Sequence, residues 1–128
     1  MVMFDTDIII GLIQGNPDAQ QTYERYKNNI IISSFTWYEL IVGCCKSKNP
    51  RHQLAEVISC LGSARIMLFD DTVATLAART TALLSKKGKP TGIVDNFIAA
   101  SCVANRQTLI TRNTKHFKNI PGLKVERW

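Results

Sequence analysis

Short runs of β-branched and apolar residues alternate along this chain with longer segments of helical period, the pattern of a parallel sheet covered by helices. Met1 to Phe4, Asn29 to Ser33, residues 65 to 69 and Gln107 to Thr111 read as strands, and Leu123 to Glu126 as a fifth. The segment after Thr6 reads as a helix apolar on nearly all sides. Asn16-Pro17-Asp18 opens the next, with a capping side chain, a proline suited to the first helical position and an acid at the positive end of the dipole; its buried face is expected at Ala19, Thr22, Tyr23 and Tyr26. Ser34 is placed to cap a helix from Phe35 to about Lys46. Asn49-Pro50 repeats the cap-then-proline device before a stripe at Leu54, Val57, Ile58 and Leu61. Asp70 or Asp71 caps the clearest amphipathic helix, with Val73, Leu76, Ala77, Thr80, Leu83 and Leu84 on one side. After a polar loop from Lys86 to Gly92, a helix from about Ile93 to Asn105 carries Ala99, Ala100, Ser101 and Ala104, small enough to lie close against a sheet.

At 128 residues, 45% hydrophobic and with only 11 Gly and Pro together, the chain is expected to form one domain, residues 1–128, around one core. Ile8 to Ile13, the longest apolar block near the start, is far short of the roughly 20 residues a membrane helix needs. With Asp5 and Asp7 before it and no basic leader, a cytoplasmic protein is expected. Cys44, Cys45, Cys60 and Cys102 read as reduced core thiols, because two closely spaced Cys or His pairs, the zinc pattern, do not occur. The charge is uneven. Residues 1–83 carry seven basic and eight acidic groups, whereas residues 84–128 carry nine basic and two acidic, a local excess of +7 that suits a polyanion such as nucleic acid or a solvated face.

In open parallel sheets the functional crevice lies beyond the carboxyl ends of the strands. Two segments fall there: Asp5-Thr6-Asp7 after the first strand and Thr111-Arg112-Asn113 after the fourth. Each also has a purely local reading, as a helix or turn cap. Glu39 sits in an otherwise apolar helix and shares a face with Thr36 and Gly43 by its i, i+3 and i+7 spacing; it is either a surface acid or one aimed over small neighbours into open space. Asp95 opens the small-residue helix, as a site acid or an ordinary first-turn acid. Were Asp5, Glu39 and Asp95 to meet, their mutual repulsion would call for a cation, and an oxygen-only set suits Mg²⁺ or Mn²⁺. Such an ion can activate water and stabilise charge at phosphorus.

Taken together, these segments resemble the PIN-domain ribonucleases, and among them the VapC type of toxin in toxin–antitoxin pairs. The resemblance rests on four stretches in order: Met3-Phe4-Asp5-Thr6-Asp7, the helix from Ser34 to Gly43, Asp95-Asn96-Phe97-Ile98-Ala99-Ala100, and Leu109-Ile110-Thr111-Arg112-Asn113 with Phe117 and Pro121-Gly122-Leu123. It implies a three-layer α/β/α sandwich with a central, mostly parallel sheet of four or five strands. It further implies Asp5, Glu39 and Asp95 as metal ligands, with Asn113 at a fourth catalytic position where many relatives place an acid. Thr6, Asp7, Thr36 and Thr111 take supporting roles, Asp7 standing where many relatives carry Asn. His116, in place of an acid common in relatives, is assigned to the surface. The implied activity is Mg²⁺- or Mn²⁺-dependent hydrolysis of RNA phosphodiesters without a side-chain nucleophile, with Arg112, Lys115 and Lys118 holding the RNA backbone. Trp37 could stack a base but reads better as core. The implied partners are RNA, an antitoxin whose basic side chain covers the acidic pocket, and a second copy in a homodimer.

Two other readings are compatible with parts of the pattern. Phe4-Asp5-Thr6-Asp7 after a strand also suits a haloacid dehalogenase-like phosphohydrolase, with Asp5 as nucleophile and Asp7 as general acid, although the later lysine and acidic pair of that class are missing. Asn113 also suits a catalytically weak RNA- or protein-binding module.

Overall fold

The computed structural model describes residues 1–128. Its elements run in the order β1 (Val2–Phe4), α1 (Thr6–Ile13), α2 (Pro17–Tyr26), β2 (Ile30–Ser33), α3 (Ser34–Lys46), α4 (Pro50–Leu61), β3 (Arg65–Met67), α5 (Asp71–Lys86), α6 (Ile93–Ala104), β4 (Thr108–Ile110), α7 (Thr114–Phe117) and β5 (Lys124–Glu126). The five strands form one sheet in the order β3-β2-β1-β4-β5. Every pairing is parallel; Met3 stands opposite Ile31 on one side and Leu109 on the other.

Successive strand residues face opposite sides of a sheet, so a strand buried on both faces must be apolar throughout. β1 meets that demand. Val2 and Phe4 join Ile8, Ile9, Ala19, Ile32, Leu40, Val57 and Ile110 in a core beneath α1 to α4. Met3 points the other way, packing with Leu84, Ile98, Ala99, Cys102, Leu109, Phe117 and Ile120 beneath α5, α6 and α7. The result is the three-layer sandwich, with all five strands formed and no antiparallel member.

Chain order reverses at the centre of the sheet. From β1 the chain builds outward through β2 and β3, then crosses back to place β4 and β5 on the other side of β1. The carboxyl ends of β1 and β4 therefore flank the switch point, where successive crossovers diverge and leave a crevice.

The capping side chains of Asn16, Asn49 and Asp70 each accept backbone N–H bonds from the helix that follows. Elsewhere the local expectations need adjusting. Ser33, not Ser34, caps α3, because its extended backbone lets the hydroxyl reach the Thr36 N–H. β3 stops at Met67, and beyond it Leu68 is exposed while Phe69 turns onto Phe35 and Phe97. α1 is not apolar to its neighbours all round, since Ile10 faces outward, and Leu83 on α5 is likewise exposed. On α4 the buried stripe narrows to Val57 and Leu61, and Ile58 is 55% exposed because α4 touches the core along one edge. Only Cys44 and Cys102 are core thiols; Cys60 is half-buried and Cys45 exposed, and none is paired. Trp37 packs against the α1–α4 core. No helix is long and apolar enough to cross a membrane.

These packing differences separate two aliphatic positions. Leu109→Ala, at a fully buried β4 site, should lower unfolding free energy in urea by about 2–5 kcal/mol. Ile58→Ala, on the exposed edge of α4, should change it by less than about 0.5 kcal/mol.

Candidate active site

Asp5 is the first residue beyond β1 and caps α1. Its Oδ1 accepts the Thr6 N–H at 2.8 Å, and its Oδ2 accepts the Thr111 hydroxyl at 2.7 Å from the end of β4. The side chain has little contact with water, the residue being 6% exposed. Burial pushes its carboxyl up from the ordinary 3.8 to about 6; the charges of Asp7 and Asp95 push the same way, against the Thr111 and Thr6 hydrogen bonds. Asp95 therefore acts on Asp5 through space although the two lie on different elements.

Thr111 ties the crevice together. Its fully buried hydroxyl lies 2.7 Å from Asp5 Oδ2 and 3.2 Å from Asp7 Oδ2, and its oxygen accepts the Asn113 N–H at 3.0 Å. One proton serves one acceptor at a time, and the shorter distance assigns it to Asp5. Asp7 takes its bonds elsewhere: the Arg112 backbone N–H donates to Oδ2 at 2.7 Å, and the Trp128 indole donates to Oδ1 at 3.0 Å.

Glu39 arrives from α3. It is exposed, its Oε2 accepts the Thr6 hydroxyl, and space beside it at Gly43 is open. Thr36, one turn earlier, is buried and bound to Ser33 at the start of α3. Asp95 stands in the first turn of α6, whose capping residue, Gly92, offers no side chain. The next residue, Asn96, is buried and donates to the Ala77 carbonyl of α5 at 2.9 Å and to the Thr81 hydroxyl, while its Oδ1 finds no partner. That clasp fixes α6 along α5 and, with it, Asp95.

Two residues with a place in this network were not marked as such by the sequence. His116 lies on the surface, but its Nδ1 is 3.1 Å from Asp95 Oδ2. The signal for it was its position one helical turn beyond Asn113, with Phe117 beside it as a buried anchor. Trp128 carried no signal. Asn113 is exposed and its amide makes no capping bond. Lys115 and Lys118 are exposed, whereas the Arg112 guanidinium is engaged: it lies 3.7 Å from the centre of the Trp128 ring and donates to the Trp128 carbonyl and to Asp18 Oδ2, both at 3.2 Å.

The donor set is oxygen-rich and short of cations. Asp5, Asp7 and Glu39 have no ion-pair partner, and Asp95 has only His116. A hard divalent ion suits such a set, since it would relieve the desolvated charge of Asp5. The acids share a neighbourhood but are not drawn into a coordination shell: Glu39 is turned onto Thr6 and Asp95 onto His116, and no three acidic, thiol or imidazole groups close around one point.

Comparison with known proteins agrees with this geometry. Residues 2–123 match the family described as PIN domain. The chain is 31% identical to the tRNA(fMet)-specific endonuclease VapC of Shigella flexneri, across 98% of this chain and 96% of that one. It is 33% identical to Ribonuclease VapC2 of Rickettsia felis at the same coverage. Among solved structures, VapBC2 from Rickettsia felis bound to a promoter DNA fragment superposes with a TM-score of 0.91 at 32% identity, covering 100% of this chain and 99% of that one. DNA-bound VapBC from Salmonella typhimurium gives 0.92 at 30% identity with the same coverage. With its Asp5 crevice at the β1/β4 switch point and a family match over nearly its whole length, this chain belongs to the PIN domain family.

Proposed function

We propose that this chain is a metal-dependent endoribonuclease, working as one domain over residues 1–128 and serving as the toxin of a toxin–antitoxin pair. The observation that carries the reading is the buried Asp5 carboxylate, held by two donors, close to Asp7 and Asp95, and paired with no cation. Asp5, Glu39 and Asp95 would hold Mg²⁺ or Mn²⁺. When bound, such an ion lowers the pKa of water and stabilises charge at a phosphorus centre.

The chain's own groups set the rest. Thr111 and the Thr6 N–H aim Asp5, and the Thr6 hydroxyl holds Glu39 over open solvent. His116 holds Asp95. Asn113, neutral and exposed, can orient water at the fourth position. Lys115 and Lys118, both exposed, supply charge for the RNA backbone. Arg112, committed to Trp128 and Asp18, serves the frame of the crevice before it serves RNA. A phosphohydrolase reading loses support here, because the Arg112 N–H and the Trp128 indole turn the Asp7 carboxyl toward the chain's own frame.

The name of the Shigella relative makes initiator tRNA the first RNA to try. The structures of relatives as VapBC pairs support an antitoxin partner, and the acidic crevice calls for a basic side chain on it. A groove of about 290 Å³ beside Glu39, lined by Ile10, Ile13, Leu40 and Val57, offers that partner an apolar seat. A homodimer and a cytoplasmic location complete the proposal.

Labelled tRNA and single-stranded RNA incubated with Mg²⁺ or Mn²⁺ should be cut by the wild type, and chelator should abolish the cutting. Asp5→Asn and Asp95→Asn should each lose at least about a hundredfold in kcat, since even residues behind metal ligands cost 10- to 100-fold. Equal cutting by all three proteins refutes the reading. Small phosphoesters should release no phosphate.

Asp5 also makes stability depend on pH. Its folded pKa is raised from 3.8 to about 6, so between those values the folded protein keeps a proton that the unfolded chain has lost. Metal-free wild type should therefore lose about 2 kcal/mol relative to Asp5→Asn as pH rises from 4 to above 6. Denaturant titrations at pH 4 and 7.5 measure it, and Mg²⁺ or Mn²⁺ should restore the wild type alone at the higher pH.

A further inference from the structure

Trp128 lies two residues beyond β5 and 121 positions from Asp7, yet its indole N–H donates to Asp7 Oδ1 at 3.0 Å. Its ring has a built seat. On one face is the Arg112 guanidinium, 3.7 Å from the ring centre, whose Nε also donates to the Trp128 carbonyl. At its edge is Gly11 of α1, where an added Cβ would stand 2.7 Å from Trp128 Cη2, 3.3 Å from Cζ3 and 3.1 Å from the Ala19 Cβ of α2. Glycine inside a helix weakens it relative to alanine; here its bareness admits the indole. Arg127 closes the frame by donating to the Arg112 carbonyl at 2.7 Å.

The other Asp7 oxygen faces the chemistry. It accepts from the Arg112 backbone N–H and lies 3.2 Å from the Thr111 hydroxyl, which donates to Asp5. Without the indole, Asp7 could rotate about its side-chain bonds and draw the Thr111 proton away from Asp5. We propose that Trp128 is a positioning residue of the active site: its indole N–H fixes Asp7, and the fixed Asp7 leaves the Thr111 hydroxyl to orient Asp5. The inference rests on the nuclease reading for its activity measure and on the metal-holding acids of that reading for its binding measure.

Three full-length variants test it: Trp128→Phe, Trp128→Ala and Gly11→Ala. Phe keeps the stacking under Arg112 and the fill at Gly11 but cannot donate; the Gly11→Ala methyl falls where the indole sits and also presses on Ala19, so its melting temperature is read beside its Mn²⁺ affinity. Mn²⁺ affinity is read by electron paramagnetic resonance titration of the protein without RNA, kcat and KM on a cleaved RNA, and thermal stability by circular dichroism. Trp128→Phe should melt close to wild type, bind Mn²⁺ about tenfold more weakly and lose a similar factor in kcat with KM unchanged. Gly11→Ala should shift the same measures in the same direction. Full rescue of Mn²⁺ affinity by Phe where Ala fails would assign Trp128 to packing and overturn the proposal. Losses that merely follow melting temperature across the three variants would overturn it too. Failure of the wild type to cut any RNA sinks the nuclease reading while the Mn²⁺ titration still decides this one.

Discussion

A parallel sheet with its first strand in the middle must bring that strand's carboxyl end out between two neighbours, and here the residue at the exit is an aspartate. Asp5 is taken out of water by the same packing that buries Phe4, and the Thr6 amide and the Thr111 hydroxyl stabilise its charge only in part. No lysine or arginine of the chain pairs with it. Much of the crevice can be understood as the consequence of an anion that the fold buries and does not neutralise.

Around that anion the acids take different tasks from different surroundings. Asp7 has its oxygens filled by donors of the chain and acts as a brace between β1 and the segment after β4. Glu39 and Asp95 come from helices α3 and α6, on opposite layers, each held by one side chain at the mouth of the crevice. The two acids therefore reach the crevice from opposite sides of the sheet. Such an arrangement suits a site that also has to accept a bulky, charged polymer.

Features governed by neighbours in sequence were legible before the structure. The strands follow from runs of β-branched residues, the caps of α2, α4 and α5 from Asn and Asp beside proline or an apolar stripe, and the crevice from polar residues placed where strands one and four end. What escaped was long-range. The Trp128–Asp7 bond spans 121 residues and the His116–Asp95 contact 21, and neither leaves a periodic trace. Ile58 fits the helical stripe by spacing, but the width of a stripe depends on how closely the next element approaches, which spacing does not encode. Arg112 looked like a free cation for the same reason: charge is visible in a sequence, and a stacking partner sixteen residues on is not.

The clasp made by Asn96 carries a consequence for how this site can diverge. α5 supplies none of the four acids, yet the Ala77 carbonyl and Thr81 decide where α6 stops along its axis. Sliding by a single residue would carry the neighbouring acid about 1.5 Å and strand a second amide atom beside the orphaned Oδ1. The remote helix thus works as a ruler: a change in the length of chain between α5 and α6 would move Asp95, whereas an exchange of a side chain lining the crevice would leave it in place.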